Sequence, residues 1–297
     1  MTFSCAIVII RFKPPMRRET DLHESSAGPV SYEPVEMIAG ARDCGVLFLC
    51  DHASSAMPAE YGNLGLTTEE FERHIAYDIG AAPLTRALAH HFGAPALLAN
   101  FSRLLVDPNR GADDPTLVMR LSDRTIVPGN ARIDATEIER RRQRFWQPYR
   151  DGTARMIEAM LASGVVPAIV SIHSFTPVWK GVARPWQVSV LWDSDPRMAV
   201  SFIAALRAEG LVVGDNEPYD GALEGDTLYQ HATQRGLAHM LIEMRQDLVA
   251  GADEVAHWAE RLARHLRPVL AEPATHIIRH HASRAAPRRR HVEGAQR

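Results

Sequence analysis

Cysteine is nearly missing: the chain has three in 297 residues. Cys5, Cys44 and Cys50 form no C-x-x-C pair, which excludes a disulfide framework and a cysteine-built zinc site and points to a reducing, cytoplasmic compartment. No run of ~18 apolar residues occurs, so no transmembrane helix and no membrane partner are expected. The apolar opening "MTFSCAIVIIRF" lacks the basic flank and small-residue cleavage site of a signal peptide; Met16, just before Arg17 and Arg18, is an alternative start. No glycine-rich fingerprint follows a strand, which argues against a nucleotide cofactor. No G-x-S-x-G elbow is present, which argues against serine-hydrolase chemistry. Net charge is only −3, so no global attraction to polyanions exists. The arginines of residues 276–297 make that stretch about +5, leaving about −8 elsewhere. No aromatic residue is interleaved with them, so the stretch reads as a solvated tail and not as a nucleic-acid site.

What is present is ordinary globular material, 46% hydrophobic and 23% charged, enough for a sizeable core. Residues 1–35 read as a disordered extension, 36–272 as a single catalytic α/β domain, and 273–297 as a disordered basic tail. Within the domain, apolar runs alternate with helical periodicity. Strands are expected at 45–50, 95–102, 166–175, 186–192, 211–216 and 239–248. Helices are expected at 67–92, 134–164, 195–210 and 253–270, with Thr67 or Thr68 capping the first, Asp134 or Thr136 opening the second and Gly164 closing it. Such alternation predicts a mostly parallel or mixed central sheet with helices on both faces. In that architecture the site lies beyond the carboxyl ends of the strands.

The strand ends are rich in chemistry. "LFLC" stops at Asp51-His52, "PALLANF" runs into Ser102-Arg103, and "LLVDPNR" delivers Asp107, Asn109 and Arg110. "AIVSIHS" ends near His173, and "MLIEMRQD" places Glu243 and Arg245 on one strand face with Met244 on the other. An acid inside an otherwise apolar strand is expensive unless it is paired or metal-linked. One such residue has a bland explanation; a series at successive strand ends points to a single site.

The blocks "DHASSAMP", "HIAYDIGA", "NFSRLLVDPNR", "SIHSF", "DNEPYDG" and "IEMRQDL" resemble the N-formylglutamate amidohydrolase family, within the zinc carboxypeptidase-like (phosphorylase/hydrolase-like) architecture. The resemblance covers roughly residues 38–270, and "SRLLVDPNR" and "IEMRQDL" are its most specific parts. It implies Zn²⁺ or another divalent metal, one ion per chain, held by His52 and His173. It implies Glu243 as the general base that takes a proton from the attacking water and passes it to the leaving amine. Arg103 would face the oxyanion. Asn109 and Arg110 would hold a substrate carboxylate in bidentate fashion, with Asp107 and Arg245 orienting them or adding a contact. Tyr219, in the turn-rich loop 215–221, would touch substrate, and His231 would lie near the active face. Zinc carboxypeptidases carry a Glu three residues after the first His, where this chain has Ser55. The third ligand must come from elsewhere. Asp78 is the first choice, being expected on the inward face of a helix beside Ile75, Ile79 and Ala82; Asp51 and Glu60 are weaker candidates, and His74, one turn earlier, is expected to be exposed.

The expected activity is zinc-dependent cleavage of the N-formyl or N-acyl amide of an acidic amino acid such as N-formyl-L-glutamate. The alternatives are a metallocarboxypeptidase or amidase acting on a small peptide, and a non-catalytic carboxylate binder, which would need neither a base nor an oxyanion donor. The expected partner is a small-molecule N-acyl amino acid. Nothing in the sequence sets the oligomeric state.

Overall fold

The computed structural model describes residues 32–285. The expectations for Cys5, Met16, residues 1–31 and residues 286–297 lie outside the described residues. Strands are β1 (Val35–Ile38), β2 (Val46–Cys50), β3 (Ala96–Ala99), β4 (Leu121–Ser122), β5 (Thr125–Ile126), β6 (Ala168–Phe175), β7 (Val178–Trp179), β8 (Val182–Ala183), β9 (Val188–Leu191), β10 (Val213–Asp215) and β11 (His239–Arg245). Helices are α1 (Thr68–Phe71), α2 (Ala81–Phe92), α3 (Ala135–Arg141), α4 (Gln147–Leu161), α5 (Pro196–Ala208), α6 (Thr227–His231) and α7 (Ala252–Ala271). A seven-stranded sheet has the order β1-β3-β2-β6-β11-β9-β10. Its centre, β3-β2-β6-β11, is parallel, while β1 and β9 run antiparallel to their inner neighbours. Two hairpins, β4-β5 and β7-β8, stand apart from it.

Period-two alternation decides what each face carries. Phe48, Cys50, Val170, Ile172, Met240, Ile242 and Met244 point to one face, under α2, α5 and α7. On the other face α4 packs over β3 and β1. There Gly152 sits so close to Leu97 that a Cβ would lie 3.0 Å from its side chain. Glu243 and His173 are register partners across β11 and β6, so both emerge on the α4 side at the carboxyl edge.

The helix expected over 67–92 is interrupted. Its start is as read, with Thr67 and Glu70 forming a capping box, but α1 ends at Phe71. Residues 73–80 instead cross the carboxyl edge of the sheet. The Asp78 amide donates to the His52 carbonyl at 2.9 Å, and the Arg103 amide and Ser102 hydroxyl donate to the Ala76 carbonyl. α2 restarts after Gly80, whose φ is +81°, and a Cβ there would lie 2.4 Å from the Val249 carbonyl oxygen. Three tertiary hydrogen bonds and this glycine outweigh local helical periodicity, whose propensity is a weak prior. The expected helix over 134–164 forms as α3 and α4 joined by a π-turn at Arg142–Trp146, with Asp134 capping the Glu137 amide at 2.9 Å.

The first part of the segment expected to be a disordered tail is ordered. Residues 273–276 form a helical turn, the Arg279 amide donates to the Gly236 carbonyl, and the Arg284 guanidinium spans Asp220 and the carbonyls of Trp192 and Asp193. Composition marks charge but cannot show that these particular carbonyls wait to receive it. At the other end, β1 opens with Val35, inside the extension expected to be disordered. Among the described residues no helix is long and apolar enough to cross a membrane.

Candidate active site

Asp51 and His52 directly follow β2, β6 carries His173, β11 carries Glu243, and the crossing segment brings Asp78 between them. The Nδ1 atoms of His52 and His173 both converge on Asp78 Oδ2, at 3.4 and 2.9 Å. The two rings stand at 89° with centroids 4.8 Å apart. One ligand-capable atom from each of the three residues lies within 4.8 Å of the others. The outer nitrogens are also held: His52 Nε2 meets Asp107 Oδ1 at 2.7 Å and His173 Nε2 meets Asp51 Oδ2 at 2.9 Å. Each imidazole is therefore fastened at its far nitrogen by a carboxylate and turns its Nδ1 inward, the outer arrangement that orients metal-binding histidines.

Those outer carboxylates are themselves fixed. Asp51 accepts the Thr227 hydroxyl at 2.6 Å and the Ser171 hydroxyl at 3.0 Å. Asp107 accepts the Asn109 amide and Arg103 Nη2, both at 2.9 Å. Burial disfavours charge on Asp51, yet His173, His52 and Thr227 hold its pKa down, to about 2. Burial likewise opposes ionisation of Asp78, and the two histidines overcome it, leaving its pKa below the usual carboxylate range. Asp107 is lowered too, against burial, chiefly by Arg103 and then His52. Burial works against a charged His173, but its bonds to Asp51 and Asp78 raise its pKa well above the ordinary imidazole value.

Three buried ionised carboxylates therefore face one guanidinium and two imidazoles. With the imidazoles neutral, the cluster carries two negative charges in excess, which a buried site does not tolerate unpaired. A divalent cation seated between the three inward donors would offset this excess and take the place of the proton on His173. Two imidazoles and a carboxylate suit zinc and leave positions for water and substrate. The residues present therefore fit a metal, and His52, Asp78 and His173 are the ones that would hold it.

Glu243 stands beside this cluster. It is 6% exposed, and its Oε2 has no hydrogen-bond partner. Burial pushes its pKa up, against His173, to about 7. A buried, unpaired carboxyl with a pKa near neutrality is the pattern of a general base.

A cavity of about 310 Å³ opens over these groups, and its wall includes Arg103, Asn109, Arg110, Phe175, Trp179 and Tyr219. Arg103 is engaged more fully than the sequence implies. Its Nη2 binds Asp107 and its Nη1 reaches Asp78 Oδ1 at 3.4 Å, so it braces two carboxylates of the cluster while still facing the cavity. The Asn109 carbonyl accepts Arg110 Nη1 at 3.0 Å, and Asn109 Oδ1 accepts the Thr227 amide at 3.1 Å. The turn that carries both is tied down by Arg150, whose Nη2 donates to the carbonyls of Pro108, Arg110 and Gly225. The Tyr219 hydroxyl accepts Arg184 Nη2 at 3.2 Å.

Five residues depart from expectation. Arg245 points away from the cavity and pairs with Asp247 at 2.8 and 3.1 Å; it shares a strand face with Glu243 but lies beyond the strand's buried part. Asp51 is the outer partner of His173 and not an inward donor, and Glu60 pairs with Arg144 on the surface. His74, expected to be exposed, is half-buried in the cavity wall and 3.6 Å from Asp123. His231 is buried in α6, outside the cavity wall, and burial with nearby Arg150 and Arg235 lowers its pKa to about 4.

Three wall residues lay outside the sequence reading. Asp226 caps α6, lies in the wall, and is pushed up to about 7 by burial. Phe175 and Trp179 could have been found from the aromatic residues that follow His173.

The sheet and the cluster at its carboxyl edge define the class, an α/β enzyme with acid–base groups at the strand ends. The sequence model of the family described as N-formylglutamate amidohydrolase matches residues 44–250. The chain belongs to that family, and its class of activity is hydrolysis of an amide C–N bond. Among solved structures, the gene product Atu2144 from Agrobacterium tumefaciens is 33% identical, with a TM-score of 0.76 over 81% of this chain and 96% of that one. The N-formylglutamate amidohydrolase from Ralstonia eutropha JMP134 is 19% identical, with a TM-score of 0.59 over 80% and 95%, and shares the fold. No curated protein matches the chain.

Proposed function

We propose that the protein hydrolyses the N-acyl amide of an acidic amino acid of the N-formyl-L-glutamate kind, with one zinc ion held by His52, Asp78 and His173. The carrying observation is the convergence of both Nδ1 atoms on Asp78 beside the unpaired oxygen of Glu243. When bound, the ion supplies Lewis acidity for the scissile carbonyl. Arg110, with the Asn109 side-chain NH2, holds a carboxylate of the amino-acid half. Glu243 Oε2 takes a proton from water as the hydroxyl adds to the carbonyl carbon, then passes it to the nitrogen as the C–N bond breaks. The products are a carboxylate, formate in the simplest case, and the free amino acid. Arg103 fixes Asp78 and Asp107 and adds positive potential where the oxyanion forms.

The test is steady-state hydrolysis of N-formyl-L-glutamate together with metal analysis, on wild type and Glu243→Gln. The variant should keep its metal and lose a factor of about 10²–10⁴ in kcat, the range for a positioned acid–base group. In wild type, kcat/KM should fall as pH drops through the Glu243 pKa, because a protonated carboxyl cannot accept the water's proton. Burial, opposed chiefly by His173, sets that pKa near 7, and a bound cation lowers it, so the acid limb belongs at or below neutrality. A Gln variant with wild-type kcat, or a wild type that binds but never cleaves N-acyl amino acids, refutes the reading.

A further inference from the structure

A second hollow opens beside the candidate site. The β7-β8 hairpin and the stretch after it contribute Trp179, Val182, Pro185 and Trp186, and loop 215–221 adds Pro218 and Tyr219. Its volume is about 650 Å³. Trp179 and Tyr219 line both this hollow and the candidate active cavity, so one runs into the other across a shared aromatic rim.

The shelf is held in place from beneath. Arg184, 8% exposed, places its guanidinium 5.6 Å from the Phe175 ring centroid and 5.4 Å from those of Trp179 and Tyr219. It also donates to the Thr176 carbonyl and hydroxyl and to the Tyr219 hydroxyl. One buried cation thus ties the hairpin to loop 215–221. Arg284 fastens the same loop from the other side through Asp220. Despite this bracing, the apolar surface stays open: Trp179 is 36% exposed, Tyr219 45% and Val182 69%.

A formyl group is one carbon. The cavity over the His-Asp-His cluster is already the size of a small-ligand site, and formyl requires no apolar space beyond it. If the amino-acid half is clamped at Arg110, the other substituent on the scissile carbonyl is the acyl group, and the shelf is the apolar space contiguous with the cavity. We infer that the Trp179–Tyr219 shelf is an acyl-group subsite, and that the preferred substrate is an N-arylacyl acidic amino acid whose ring lies on it. This rests on the reading under Proposed function and narrows it to a substrate class.

The test has a kinetic and a binding arm. kcat/KM is measured for N-formyl-, N-acetyl- and N-phenylacetyl-L-glutamate on wild type and on Val182→Asp, which puts a charge on the shelf. Binding of the N-formyl and N-phenylacetyl compounds to metal-loaded Glu243→Gln is measured by calorimetry. The phenylacetyl compound should exceed the formyl compound by about tenfold or more in kcat/KM and in affinity, as burial of several ring carbons implies. Val182→Asp should shrink that ratio about tenfold. Activity on the formyl compound with no gain for phenylacetyl overturns the subsite and leaves the proposed function intact. If nothing is hydrolysed, the proposed function fails; the calorimetry still decides the shelf, equal affinities overturning it and a tenfold preference supporting it. An unchanged ratio in Val182→Asp, with loss of a dimer in sedimentation, makes the hairpin an interface between copies and overturns the inference.

Discussion

On the floor of the cavity, all four ring nitrogens of His52 and His173 meet a carboxylate oxygen. On the rim, Trp179 and Tyr219 are more than a third exposed, and Arg110 donates to its neighbour's carbonyl. The floor grows from parallel strands and the segment pinned to them; the rim grows from hairpins and loops. In a network where each buried group is another's partner, one deletion leaves a charge stranded. On the rim, a deletion removes a contact and little else. Chemistry is thereby made rigid while substrate choice stays adjustable, the division expected when reacting groups sit on a scaffold and recognition sits on loops.

The strongest break in this contrast is His173→Ala. It removes an inward donor and takes from Asp51 and Asp78 the imidazole they share, so metal content should fall to background and activity with it. Loss of one partner of a buried ionic network should also lower unfolding free energy by about 3–5 kcal/mol. Metal analysis and denaturant titration check this; a variant with wild-type metal content would misplace the centre.

Arg110→Ala attacks the rim. KM for carboxylate-bearing substrates should rise far more than kcat falls, at about 2–4 kcal/mol of lost binding, with thermal stability little changed. Arg110→Lys should rescue little, because an ammonium lacks the planar fork. A KM unmoved by the Ala change would remove Arg110 from recognition.

The smallest effect belongs to Asp51→Asn, which keeps the shape around His173 and loses the charge behind it. Metal affinity should weaken about 10–100-fold, read by competition with a chelator. A loss as large as that of His173→Ala would make Asp51 a ligand and erase the distinction between inner and outer carboxylates.

Much of this was legible without coordinates. Strand positions follow from short apolar runs, because a parallel sheet covered on both faces must bury both sides of each strand. The polar residues that end those runs mark its carboxyl edge, since only there can such groups reach a shared cavity. Asp78 was legible as an inward acid, but on a helix that does not exist: periodicity over 67–92 is real, and hydrogen bonds of the Asp78 amide to His52 and of the Ala76 carbonyl with Ser102 and Arg103 override it.

The sequence by itself determined the alternation of strands and helices, and with it where His52, His173 and Glu243 come to the surface of the sheet. Residue period and hydrophobicity are local properties that survive without neighbours. Only the tertiary structure decided the pairings. Asp107 and Asp51 lie 55 and 122 residues from the histidines they orient, and Asp247, two residues from Arg245, takes that guanidinium away from the cavity. Arg184 gathers three rings at the acyl shelf. A charge or a ring can serve many partners, and which one it meets depends on where the folded chain places them.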